Sequence, residues 1–136
     1  MKPVDQSKLS TDENPHAGDC FGACVCSILE TDLAAFPDLS AYFEPDQWNE
    51  WQRQIDVYLM QHGYVHVDVE FRKDLRDVVV PRGWSIPYGP TVRSADRLHA
   101  VVAYDGRVIH DPHPSRAGLT SIQGWTLLVP ILMPEQ

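Results

Sequence analysis

Hydrophobic and polar positions divide the chain into an irregular start, two apolar helical segments and a long region of alternating character. Residues 1–19 carry no apolar period and contain Pro3 and Pro15, so they read as an extended lead-in. The segment CFGACVCSILE, Cys20 to Glu30, is built of small and apolar residues compatible with a buried helix, with Asp19 available as its N-cap. A loop with Pro37 follows. In EPDQWNEWQRQIDVYLMQHG, Trp48, Trp51, Ile55 and Leu59 fall three and four residues apart, which makes one apolar stripe on a second helix. Pro45 stands near its start and Gly63 just past its end.

After Gly63 the period changes to two. Val65, Val67, Val69 and Phe71 alternate with His66, Asp68 and Glu70, predicting a half-buried strand over Tyr64 to Phe71. WSIPYG reads as a short strand, LHAVVAYDGRVIHD as a hairpin turning on Asp105 and Gly106, and GWTLLVPIL as a last strand interrupted by Pro130. Helices followed by an antiparallel sheet predict a single α+β domain over residues 1–136, with helices packed on the sheet. A chain of 136 residues is long enough to bury a core without staples.

Charge narrows the function. A net charge of −8 with no Lys/Arg cluster argues against nucleic acid as a ligand, because such binding depends on neutralising phosphates. No run approaches the roughly 18 apolar residues of a membrane span, and the lead-in lacks the apolar core of a signal peptide; the expected setting is a cytoplasm. Three cysteines on one short element are an odd number in the wrong arrangement for a disulfide scaffold, so they are expected as thiols.

Cys20 opens the first helix, where unpaired backbone N–H groups and the helix dipole favour negative charge on sulfur. Cys24 and Cys26 lie inside the helix and read as small packing hydrophobes. A nucleophilic thiol needs a base and a group to orient that base. The hairpin offers both, in a register that its turn decides. A two-residue loop at Asp105-Gly106 would project His99 and Asp111 from opposite faces. A three-residue loop, Tyr104-Asp105-Gly106, sets Ala103 opposite Arg107, Val101 opposite Ile109 and His99 opposite Asp111, with Cβ atoms roughly 4.5–5.5 Å apart. The second register is expected, giving a Cys20, His99, Asp111 set; taken alone, His99 would equally read as an ordinary sheet histidine.

A cysteine opening the first helix, then a histidine beginning a strand, then an aspartate on the next, resembles the papain-like cysteine peptidases, especially their bacteriocin-processing branch. The chain has DCFGAC, HAVV and HDPHP in that order, and is similar to small phage and bacterial proteins carrying the same three pieces. The resemblance spans about residues 14 to 132. It implies a papain-like fold, Cys20 as nucleophile, His99 as general base and Asp111 as its orienter, acting on a peptide, isopeptide or other amide bond through an acyl-enzyme, with no cofactor. Papain-like enzymes usually place a glutamine about six residues before the nucleophile, where its amide helps bind the oxyanion. Here that position is Asn14. Gln6 lies fourteen residues upstream and is reachable only if the lead-in folds back.

Rival readings use neighbouring residues. His110 and His113, with His99, Asp111 and Cys20, suggest a mixed-ligand metal site, but His110 and Asp111 are adjacent on a strand and point apart, so no metal is expected. An inactive module binding a host protein would use the acidic surface and the tryptophans; Trp48 and Trp51 read as core, while Trp84 and Trp125 are candidates to wall a cleft near the histidine. PYGPTVRSADRL reads as a turn-rich loop lining that cleft. Arg93 and Arg97 on it are candidates to receive an acidic substrate group.

Overall fold

The computed structural model describes residues 1–72, 74–75 and 79–132. Among them, two α-helices pack on one six-stranded antiparallel sheet, an α+β fold with the helices first in the chain. Helix α1 spans Cys20–Leu29 and stops where Glu30 turns left-handed at φ 58° and sends its N–H back to the Cys26 carbonyl. Helix α2, Trp48–Met60, is entered through a 3-10 turn at Pro45–Gln47 and left through Gly63 at φ 83°. Of its apolar stripe, Ile55 and Leu59 are fully buried and Trp51 is half-buried. Trp48 departs from expectation: it is 49% exposed, its ring stacked on Trp51 at 4.8 Å rather than set in the core.

The strands are β1 (Tyr64–Val69), β2 (Trp84–Thr91), β3 (Ser94–Ala100), β4 (Val102–Tyr104), β5 (Arg107–His110) and β6 (Gly124–Pro130). Their order is β1-β6-β2-β4-β5, with β3 also paired to β2. β3 and β4 form one extended run along β2, since Gly89 faces His99, Tyr88 faces Ala100 and Ser85 faces Ala103 in a single register. The run is interrupted at Val101 for a covalent reason: its N–H reaches the Pro87 carbonyl at 3.1 Å, and proline has no N–H to return. PYGPTVRSADRL is therefore not a loop. It supplies most of the β2–β3 hairpin, which turns at Val92 and Arg93 between the paired Thr91 and Ser94.

The core lies between sheet and helices. Cys24 and Val25 of α1 and Ile55, Tyr58 and Leu59 of α2 meet Ile86, Ala100 and Val102 of the sheet. Each fully buried aliphatic side chain here contributes about 1.5–3 kcal/mol. β1 ends at Val69 and presents the face opposite to the one its valines suggest. Val67 is 44% exposed, whereas the His66 side chain is buried against α2, with Nδ1 2.6 Å from Asp56 Oδ1 and Nε2 2.5 Å from Gln52 Oε1. Polar partners on the helix make the histidine face the inner one. Among the described residues no helix is long and apolar enough to cross a membrane.

Candidate active site

Cys20 is the first residue of α1 and is partly exposed. Asp19 precedes it in the N-cap position, and its carbonyl accepts the Ala23 N–H at 3.0 Å, yet its carboxylate caps nothing in the helix. That carboxylate instead accepts the backbone N–H groups of Ser7 and Lys8, at 2.9 and 3.0 Å, and the Ser7 hydroxyl at 2.5 Å. The expected N-cap thus acts as an anchor for the lead-in. As a consequence, the first N–H groups of α1 are left without a side-chain cap.

The lead-in folds back along α1 and over the end of β5. Lys2 N–H reaches Ser27 O at 3.0 Å, Gln6 N–H reaches Pro112 O at 3.1 Å, and Asp19 N–H reaches Lys8 O at 3.3 Å. Gln6 donates its side-chain amide to that same Lys8 carbonyl at 2.9 Å, so this amide sits one residue ahead of Cys20 in space, and its Oε1 is buried without a protein partner. Asn14 is exposed, in a backbone turn with Thr11. The glutamine that sequence spacing set aside is the one whose amide the fold ties to the Lys8 carbonyl, which also accepts the N–H of Asp19, the residue before Cys20.

The hairpin reaches the expected pairing by a different route. Asp105 and Gly106 have φ of 51° and 78° and form a two-residue turn in which Tyr104 faces Arg107 and Ala103 faces Val108. The three-residue loop is thereby overturned. Val102 then faces His110, so Ile109 is an extra residue, a β-bulge. The bulge restores the parity that the tight turn would have spoiled. Extended by one residue, the register sets Asp111 level with Val101, on the side shared by His99.

His99 Nε2 lies 2.7 Å from Asp111 Oδ1, and both side chains are buried. The Cys20 sulfur, at the head of the helix that packs against β3, stands near enough to the same ring to raise it. With Nε2 occupied by the carboxylate, Nδ1 is the nitrogen available to sulfur. Burial disfavours a charged His99, but the hydrogen bond and charge of Asp111 and the nearby Cys20 sulfur outweigh it and raise the imidazole to about 9. Burial also works against ionised Asp111. The hydrogen bond from His99 and the backbone N–H groups of His113 (2.9 Å) and Gly118 (2.8 Å) prevail and hold its carboxyl well below the usual range. Burial pushes the Cys24 and Cys26 thiols up, Cys24 the further.

Residues outside the expected set complete the surroundings. Asp111-Pro112-His113 is an Asx turn, legible in HDPHP as a local motif, while the bond of the same carboxylate to His99 is revealed only by the fold. Gly89, opposite His99, lets the Ser121 carbonyl lie where a Cβ would be, three residues after Gly118 gives its N–H to Asp111. The His113 ring meets the His99 ring edge-on at 6.0 Å.

Other candidates fall elsewhere. Trp84 pairs with Tyr104 and packs edge-on against it at 4.7 Å. It is five residues along β2 from the site, roughly 16 Å at the strand rise, and does not wall the cleft. Trp125 is 3% exposed and faces Pro87 and Val69 in the sheet. Arg97 is paired with Asp12 at 3.0 Å, while Arg93 lies beside the site, bonded to Ser115. His110 turns to the lead-in, with Nε2 2.9 Å from Val4 O and 3.3 Å from Asp5, and His113 Nδ1 is engaged by Ser115. No family model, curated protein or solved structure matches the chain.

Proposed function

We propose that the protein is a papain-like cysteine hydrolase acting on a peptide, isopeptide or other amide bond. The observation that carries this reading is the buried His99 ring bonded to Asp111 at 2.7 Å, with the helix-starting Cys20 thiol close enough to shift that ring. His99 takes the thiol proton, and the Cys20 sulfur attacks the carbonyl carbon. The oxyanion is received by the uncapped N–H groups at the start of α1, with the Gln6 amide as the side-chain donor. As the C–N bond breaks, His99 passes its proton to the leaving nitrogen, leaving a thioester on Cys20. Water, deprotonated by His99, then releases the acid and restores the thiol. Asp111 stays ionised throughout and keeps the ring oriented.

Incubation with a library of peptidyl acyloxymethyl ketones, read by intact mass, tests the assignment. One adduct per chain is expected on Cys20, formed as the sulfur displaces the carboxylate leaving group. It should vanish in Cys20→Ala with an unchanged melting temperature. Adducts that persist in Cys20→Ala, or no adduct on the wild type, would overturn it.

A further inference from the structure

We propose that Arg93 is a specificity residue that selects substrates carrying a carboxylate close to the bond attacked by Cys20. The inference rests on the hydrolase reading and names the substrate class for the same site.

Arg93 stands at the turn of the β2–β3 hairpin, with its backbone N–H on Thr91 Oγ1 at 3.2 Å. Its guanidinium is aimed by a neutral partner, since Nη1 donates to Ser115 Oγ at 2.7 Å. Ser115 in turn gives its backbone N–H to His113 Nδ1 at 3.0 Å, and the His113 N–H reaches Asp111 Oδ1 at 2.9 Å. A continuous hydrogen-bonded chain therefore runs from the guanidinium to the carboxylate that orients His99. Anchoring by a hydroxyl positions the cation without cancelling it.

Charge pairing separates Arg93 from its neighbours. Arg97 is neutralised by Asp12, and Arg116 grips Asp5 with both Nη atoms, at 2.5 and 2.8 Å. Among the described residues no carboxylate lies within ion-pair distance of Arg93. Its field reaches the site: burial first, then the positive charges of Arg93 and His99, hold His113 below its ordinary range. Because Nδ1 of that ring accepts the Ser115 N–H, its proton sits on Nε2, a second donor on the same flank.

Elsewhere the molecule repels anions, with a net charge of −8. An arginine free of any ion pair among the described residues, on the His113 flank of His99, is the local exception, and its planar fork matches a carboxylate bidentately. Arg93 and the His99 ring are separated by Ser115 and His113, on the order of 10 Å, about the span of three extended residues. That separation suits an acidic side chain one or two residues from the scissile carbonyl.

Paired acyloxymethyl ketone peptides test this, identical except for Glu or Gln at each position flanking the electrophile. Second-order labelling rates of Cys20 are read by intact mass in the full chain and in Arg93→Gln, Arg93→Lys and Arg93→Glu. In the wild type the best glutamate probe is expected to react at least about tenfold faster than its glutamine twin, a preference that weakens with added salt. Arg93→Gln should bring the ratio to about one, Arg93→Lys should restore part of it, and Arg93→Glu should invert it, making the glutamate probe slower than its glutamine twin. A preference that survives Arg93→Gln, or equal labelling by glutamate and glutamine probes in the wild type, overturns the proposal while the hydrolase reading stands. No labelling of Cys20 by any probe overturns both.

Discussion

His99 Nε2 and Asp111 Oδ1 are 2.7 Å apart because Ile109 is inserted as a bulge into β5, not because the hairpin turn is loose. The turn itself is tight, and alone it would send the two side chains to opposite faces. Deleting Ile109 is expected to remove the pair while retaining the turn. A buried charge that loses its partner costs about 3–5 kcal/mol. Urea titration should show that loss, and Cys20 labelling should fall with it; unchanged labelling would mean that the bulge does not orient the base.

The His99–Asp111 pair has a signature in pH. His99 is raised in the fold to about 9, so its contribution to stability is full below the unfolded value near 6.5 and is lost as pH rises through about 9. Asp111 is lowered, so its contribution is present above the ordinary carboxylate value and is lost on acidification below it. Stability is expected to be greatest between about pH 4 and 6.5 and to fall on the alkaline side. Asp111→Asn should flatten that alkaline fall, lower the His99 midpoint read by NMR, and slow acyl-enzyme formation by about 100-fold or more.

In the proposed mechanism His99 delivers a proton to the leaving nitrogen, so turnover of an amide substrate is expected to decline above about pH 9. Labelling by iodoacetamide, which needs no such proton, should not share this alkaline limb. Parallel limbs for the two reactions would count against His99 as the acid.

The three thiols should separate by reactivity in the folded protein. Cys24 and Cys26 are 0% exposed and burial pushes both thiols up, while Cys20 is partly exposed against the His99 ring. Peptide mapping after iodoacetamide treatment at pH 6 is expected to find Cys20 modified first, with Cys24 and Cys26 following only on denaturation. His99→Ala should slow the Cys20 reaction.

Gln6 and Asn14 make opposite forecasts. Gln6→Ala is expected to lower kcat by about 100-fold with little change in KM, the mark of a group that binds the oxyanion. Asn14→Ala, in an exposed turn, should leave kcat within twofold. The reverse result would return the oxyanion role to Asn14.

Local periodicity was enough to define the helix of Ile55 and Leu59, the stop at Gly63, the strand from Tyr64, and Cys20 as the residue opening α1. Those features depend on backbone geometry and on side chains within one or two turns of each other. Register, facing and return of the lead-in depend on contacts far apart in the chain. Val65 to Val69 look like the inner face of a strand, yet His66 is the buried side because Gln52 and Asp56 on α2 wait for it. Asp19 looks like a cap, yet Ser7 and Lys8 claim its carboxylate and bring Gln6 with them. DG marks a turn in any hairpin, but whether His99 meets Asp111 is decided by a bulge three residues further on, at Ile109. A single inserted residue reverses which way every later side chain points, and only packing against β2 and the lead-in selects where that residue goes.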